Sequence, residues 1–293
     1  VSSATGVNFA APSSNTNGKG LYYTTDVSKT ENGERVYYFR GSVTNNYLIY
    51  GGYCWRIVRT VEDGNVKLRY GGIPTGGVCP QTGTDVSIAR AQFNKLANDN
   101  AYVGYMYGAA GTGYRQTTHG YATESNIKKV IEAWYSGEAT TDSECYNGTS
   151  YVNCDFTSLA NKMVNNSSLI GDSIFCSDRA VGTGGVVDGT TYTEFGYGTN
   201  NTLYAAARRV HTNGPTGTSF GSTGASPSYK CEQDVDRFSS TLDGEGNGML
   251  FYPVGLLTAD EFSFAGLVMS DAAISMYLHI GESYWSMTPA DYN

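Results

Sequence analysis

The stretch from Asn46 to Gly72, NYLIYGGYCWRIVRTVEDGNVKLRYGG, carries the strongest local pattern in the chain. Cys54, Arg56 and Val58 fall on one parity, and Trp55, Ile57 and Arg59 on the other. After the turn dipeptide Asp63-Gly64, Val66, Leu68 and Tyr70 alternate with Asn65, Lys67 and Arg69. Period-two alternation on both sides of a turn signal specifies an antiparallel hairpin. Trp55 and Ile57 are expected to face a core, and the arginines to cover sheet edges or pair with acids.

Working outward, GLYYTTD and RVYYFRG have strand composition and are separated by the turn-like KTENGE. SIARAQFNKLANDN reads as a weak amphipathic helix with Ile88, Phe93 and Leu96 as its apolar members. AYVGYMYGAAGTGY places aromatics between glycines and is expected to be extended or irregular. The surest helix is TESNIKKVIEAWYSG. Thr123 or Ser125 caps it, Ile127, Val130, Ile131 and Trp134 recur at helical spacing, and Gly137 stops it. FTSLANKMVNNS is a shorter helix candidate using Leu159 and Met163. The span from Ala180 to Gly224 reads as a long surface region interrupted by LYAAARRV. Near the end, Thr258 and Glu261 form a capping-box pattern before Phe262, Ala265 and Gly266. AISMYLHI and SYWSMT read as two strands or a strand and a turn. The whole pattern predicts an α+β fold with mostly antiparallel sheets, a few short helices and long Gly-rich loops. Residues 1–20 are expected to be a flexible leader or assembly segment, and 21–293 one large extracellular α+β domain that is incomplete at its C-terminus.

The 293 residues suffice for a sizeable core. Only 16% are Asp, Glu, Lys or Arg, against roughly 25% in ordinary domains, so Gly, Tyr, Asn, Ser and Thr must supply the polar surface. A net charge of -8 opposes nucleic-acid binding, which needs cations to neutralise phosphates. No apolar run reaches the length of a membrane span.

Cys231 sits in SYKCEQDVDRFSS, among polar neighbours that do not suit a buried free thiol. The even count of 6 cysteines is consistent with three disulfides, although fifteen pairings are open. Cys145 and Cys154 flank the polar loop YNGTSYVN, Cys54 and Cys79 lie before and after a strand-like pair, and Cys176 is left to answer Cys231. The competing reading is free thiols in a reducing compartment. Turn-rich surroundings at Cys79, Cys145, Cys154 and Cys231 favour the oxidised state and an extracellular setting. No C-x2-C pair occurs and His119, His211 and His279 are isolated, so no metal site and no cofactor are expected.

Catalytic signals are weak. No G-x-S-x-G elbow is present, and GTGGVVDG lacks the lysine and hydroxyl of a phosphate-binding loop. Asp260 and Glu261 fit a helix start better than a general acid-base pair. DGEGNG at 243–248 would need a glutamate where Val254 stands to bind calcium in a helix-loop-helix manner. Asp178 in CSDR is read as a turn residue. The chain is therefore read as a binding or structural protein, not an enzyme. Its contact residues are expected among Tyr102, Tyr105, Tyr107, Tyr284 and Trp285, since tyrosine and tryptophan give large amphipathic contact area.

The segments YYFRGSVTNNYLIYGGYCWRIVRTVEDGNVKLRYGG, NAYVGYMYG, SNIKKVIEAWY, IFCSDRA, FYPVGLLTADEFSFAG and YLHIGESYWSMTP resemble, in order, the signature of a family of uncharacterised surface proteins of gut Firmicutes. The resemblance covers most of the chain. It implies an exported protein whose relatives often start with a prepilin-like hydrophobic segment and continue beyond the Trp-x-Met-Ser/Thr-Pro motif. It also implies a core similar to C-type lectins or formylglycine-generating enzymes. Cys176 and Cys231 match family cysteines, whereas Cys54, Cys79, Cys145 and Cys154 are additions. Together these readings predict a bacterial cell-surface or pilus-associated protein for adhesion or filament assembly, self-associating or binding surface proteins. A lectin-like glycan-binding module is the alternative, and an envelope-polymer hydrolase comes third.

Overall fold

The computed structural model describes residues 2–3, 6–30, 33–61, 64–96, 102–107, 123–179, 185–187, 190–192, 202–204, 210, 226–231, 237–241, 248–267, 276–289 and 291–292. The readings of 108–122, of most of 180–224 and of 243–247, with His119 and His211, lie outside these residues, as does Asp63 of the hairpin turn.

The architecture is α+β and mostly antiparallel, and two short α-helices lie wholly within the described residues. Its main sheet is built from β1 (Gly20–Thr24), β2 (Val36–Arg40), β3 (Tyr47–Tyr50), β4 (Tyr53–Thr60) and β5 (Val66–Tyr70). Ser2–Ser3 adds a parallel pairing on β1. β4 bonds β2 and β3 along one edge and β5 along the other. The β3–β4 connection has only two residues, Gly51 and Gly52, with φ of 61° and 82°. Positive φ at both positions is what the tightest hairpin turn requires. A side chain at Gly52 would also meet the Asn161 amide.

The central hairpin forms as the alternation predicts, with one departure. Ile57 faces Leu68, but the next pair is Arg59 with Lys67, so β4 advances two residues while β5 advances one. This bulge at Val58 turns Arg59 onto the face of Arg56 and Val58. One face of the β4–β5 pair therefore carries Arg56, Arg59, Lys67 and Arg69, and the other Trp55, Ile57, Leu68 and Tyr70. Of the two residues expected to face a core, Trp55 packs against buried aromatics and Ile57 is only half-buried. The cationic face is the more deeply covered: Arg56 and Arg59 are buried there with Cys54 and Val58.

Helix α1 (Asn126–Ser136) begins where Ser125 Oγ accepts from Lys128 N and ends at Gly137 in the left-handed conformation. Its apolar stripe, Val130 and Trp134 above all, packs against Tyr53, Trp55 and Tyr70. β6 (Ala139–Tyr146) and β7 (Tyr151–Asp155) follow as a second hairpin against the same helix. Helix α2 (Ala259–Ala265) carries the predicted capping box: Glu261 N donates to Thr258 Oγ1 at 3.1 Å and Thr258 N donates to Glu261 Oε2 at 3.0 Å. Gly266 caps its C-terminus rather than lying within it. α2 lies over the cationic face, where Val43, Val58, Leu257, Phe262, Ala265 and Leu278 form a core.

Three expectations fail. No helix forms at 87–96, because Asn94 folds its side chain onto Leu96 N and donates to Tyr102 O, and Phe93 O accepts from Ile127 N. The helix candidate at 156–167 reduces to a kinked 3-10 segment, Met163–Leu169, leaving Leu159 in a turn. Residues 276–289 form bends and turns instead of strands, since their backbone bonds go to separate loops, Tyr277 N to Gly41 O and Met287 N to Leu257 O.

All six cysteines are oxidised, in the proposed pairs Cys54–Cys79, Cys145–Cys154 and Cys176–Cys231. Cys231 thus finds its partner 55 residues upstream. Within 1–20, Ser13 is buried, its N–H bonded to Gly266 O, and Phe9 packs edge-on to Phe264. Asn17 Nδ2 donates to the carbonyls of Asn8, Ala11 and Pro12. The contacts of Ser13 and Phe9 hold this part of the chain against α2. No helix among the described residues is long and apolar enough to cross a membrane.

Candidate functional site

On the face of the sheet opposite α2, the layer between strands and α1 is incompletely filled. A groove of about 1630 Å³ opens there. Its sheet wall is Leu48, Trp55, Ile57, Leu68 and Tyr70, and its helix wall Ile127, Val130, Ile131 and Trp134. Segments 169–173 and 253–257 close its sides. The rim gathers half of the large apolar side chains that are exposed among the described residues: Ile49, Val66, Tyr151, Leu169, Tyr284 and Trp285. Leu169 is 80% exposed. Exposed apolar side chains scattered singly are ordinary, but a set concentrated on one concave rim marks a contact surface.

Along this groove β5 presents a free edge. Among the described residues it pairs with β4 alone. Gly71 N donates to Cys54 O and Cys54 N to Gly72 O, which sets Arg69 toward β4 and leaves the N–H and C=O of Leu68 and Tyr70 on the outer side. An apolar groove bordered by an unpaired strand edge offers both side-chain pockets and backbone bonds to an added strand.

The predicted contact residues divide. Tyr284 and Trp285 stand on the rim. Tyr284 Oη donates to Leu278 O at 2.7 Å, and its ring lies edge-on to Phe262. Trp285 Nε1 donates to Ala91 O at 2.8 Å and its ring packs edge-on to Phe93. Both rings are thereby fixed with one face outward. Tyr102, Tyr105 and Tyr107 belong elsewhere: Tyr105 is completely buried against Phe238, Tyr107 is buried, and Tyr102 leans on Tyr107. None of the three lines the groove that Tyr284 and Trp285 border. Sequence reasoning treated Trp55, Tyr70 and Trp134 as core, and missed Ile49, Val66 and Leu169. An apolar residue at an expected core parity carries no local mark when the facing layer stops short of it.

Asp172 on the groove wall serves the fold. Asp172 accepts from Ser240 N and Oγ at 2.8 and 2.6 Å and from Thr241 N and Oγ1 at 3.0 and 2.6 Å. Burial pushes its carboxyl up, but these bonds outweigh burial and hold it below the ordinary range. With its lone pairs committed it ties 240–241 to the wall. On the opposite face, Glu261 Oε1 accepts from Arg59 Nε at 2.9 Å and pairs with Lys67 Nζ at 2.8 Å. Burial alone would raise this carboxyl, yet Lys67 and Arg59 bring it down to about 2. Asp260 accepts from Ser228 N at 2.8 Å. Asp260 and Glu261 thus serve the fold, and His279 is exposed. Asp178 is buried. No group of three His, Cys, Asp or Glu among the described residues could hold a metal ion.

Comparison with protein-family models, with curated proteins and with solved structures finds no match.

Proposed function

We propose that this chain is an exported, bacterial cell-surface or pilus-associated protein of structural or adhesive role, and that its groove receives part of a second copy during assembly. The carrying observation is the coincidence of an apolar groove with the free edge of β5 and half the exposed large apolar side chains on its rim. The groove exceeds the roughly 300–1,000 Å³ of small-molecule sites, so it suits a polymer segment. Three disulfides support life in an oxidising compartment. The resemblance to gut Firmicutes surface proteins supports the same reading.

The test is assembly itself. Sedimentation velocity and negative-stain microscopy of the full chain, over rising concentration, are expected to show oligomers or fibres that vanish in the double variant Val66→Lys, Leu169→Glu. Monomers at every concentration would contradict assembly through the groove.

A second reading, a lectin-like glycan-binding module, is favoured by one feature. Tyr284 and Trp285 are adjacent, exposed at 38% and 50%, and held rigid by bonds at their polar ends. A glycan array discriminates: signal lost in Trp285→Ala would move the assignment to this class, and silence would retire it.

A further inference from the structure

The α2-facing side of β4 and β5 holds four cations, Arg56, Arg59, Lys67 and Arg69. Among the described residues the carboxylate that meets them is Glu261, which pairs with Arg59 and Lys67. Arg56 and Arg69 are left directly opposite each other across the ladder, and among the described residues neither makes an ion pair. Like charges in that position repel and destabilise the pairing. The repulsion also shows in Arg56, whose guanidinium is pushed down by burial first and by Arg69 in addition.

The two guanidinium groups differ in what they have left to give. Arg56 is committed to neutral acceptors: Val43 O at 3.1 Å, Asn46 Oδ1 at 2.6 Å and Gln81 Oε1 at 2.8 Å. The Tyr47 ring lies 3.6 Å from its Cζ. Arg69 has a single long bond, to Val86 O at 3.5 Å, and the Tyr284 ring 5.3 Å from its Cζ. A guanidinium carries five N–H donors, so most of its fork is unused. Beside the pair, Tyr277 is buried with its hydroxyl unpartnered. Its ring stands 5.8 Å from Arg56 Cζ, and it feels the charges of both arginines. An uncompensated double positive charge, an open fork and an orphaned hydroxyl meet at one place. Arg69 at this place is half-buried, and Arg69 and Tyr284 are both among the residues that line the groove.

We infer that Arg69 and Tyr277, backed by the charge of Arg56, form a binding site for a carboxylate. A planar carboxylate accepts two parallel N–H bonds from the free fork of an arginine, a match that a point charge does not give. Its arrival also supplies Tyr277 with an acceptor and cancels the repulsion across the strand pair. Nothing in this assignment depends on what fills the rest of the groove. The carboxylate belongs either to an acidic side chain of a polypeptide or to an acidic sugar, and the two are separable by probe.

The experiment is side-chain Nε–H NMR of the full chain at fixed ionic strength, with sodium chloride as control. Acetate, the blocked amino acid N-acetylglutamate amide, glucuronate and inorganic phosphate are titrated in turn. The expected result is a saturable shift of the Arg69 and Arg56 resonances with acetate, sharing one dissociation constant. The tighter of the glutamate derivative and glucuronate identifies the source. In Arg69→Gln the affinity drops at least tenfold, whereas Arg35→Gln, at an exposed site, binds as the parent does. Absence of a saturable shift in the parent protein, an equal response in Arg69→Gln, or a response to phosphate alone would overturn the assignment. If Arg69→Gln fails to fold, the paired shifts of Arg56 and Arg69 in the parent protein decide the matter alone.

Discussion

The two faces of the β4–β5 pair reverse the usual relation between polarity and burial. The face with four cations is covered by α2 over Arg59 and Lys67, where Val58 of β4 and Phe262 of α2 are buried. The face with Trp55, Ile57, Leu68 and Tyr70 borders an open groove. Glu261 makes the first arrangement tolerable. One of its oxygens caps α2 and the other holds Arg59 and Lys67, so a single carboxylate joins helix to sheet. Among the described residues no ion pair draws α1 down onto β5, where Trp134 meets Tyr70 at the strand's end while Leu68 borders the groove. The difference teaches that covering a sheet face takes an anchor as well as apolar side chains.

Breaking the anchor has the largest expected effect. Glu261→Gln removes a buried carboxylate that Arg59 and Lys67 both meet and is expected to cost about 3–5 kcal/mol, read from urea unfolding at neutral pH. The same residue sets a pH dependence. Its pKa is depressed in the fold, so the stabilisation it gives is present above the ordinary carboxylate range, near pH 4.5, and is lost as pH falls toward about 2. In Glu261→Gln that acid-side loss should shrink; an unchanged acid limb would show that other groups govern it.

Removing the Cys54–Cys79 bridge ranks next. It closes a loop over 25 residues and ties β4 to the segment that presents Gln81 and Val86 to the arginines. The double variant Cys54→Ser, Cys79→Ser should lose about 3 kcal/mol, measured as a lowered unfolding midpoint.

The groove face should respond far less. Leu68→Ala trims a side chain that borders open space and creates no closed cavity, so a loss of about 1 kcal/mol is expected. Phe262→Ala in the covered face should cost about 3–5 kcal/mol. Equal losses at the two positions would mean that the groove is filled in solution. Smallest of all, Val66→Lys on the rim should change stability by no more than about 0.5 kcal/mol while weakening association.

Much of this layout was legible from the residues. Ser125 and Gly137 bracket α1, Thr258 and Glu261 mark α2, the alternation around Trp55 gives the hairpin, and the three cysteine pairs singled out from fifteen open pairings are those that form. The losses have physical causes. The bulge at Val58 leaves no mark in the local sequence, yet it flips Arg59 onto a buried face and creates the site of Glu261. Ile88, Phe93 and Leu96 keep helical spacing, but Asn94 spends its bonds on a turn. Among the described residues Tyr277, Tyr284 and Trp285 have no strand partner; Tyr277 N bonds Gly41 O, and the other two are held by their side-chain polar ends. Of the five aromatic contact residues, the two on the rim are adjacent in sequence. The groove's other walls come from segments as far apart as Leu48 and Leu256, a closeness that only the fold creates.

The claim that the groove is where copies meet is tested most directly by amide hydrogen exchange across Val66–Tyr70 at low and high protein concentration. A free edge that becomes paired on assembly predicts that Leu68 and Tyr70 exchange quickly in dilute protein and slow markedly when concentrated. The rim variant Val66→Lys, Leu169→Glu should stay fast throughout. Identical exchange at both concentrations, in protein that sediments as an oligomer, would contradict it and place the contact elsewhere on the surface.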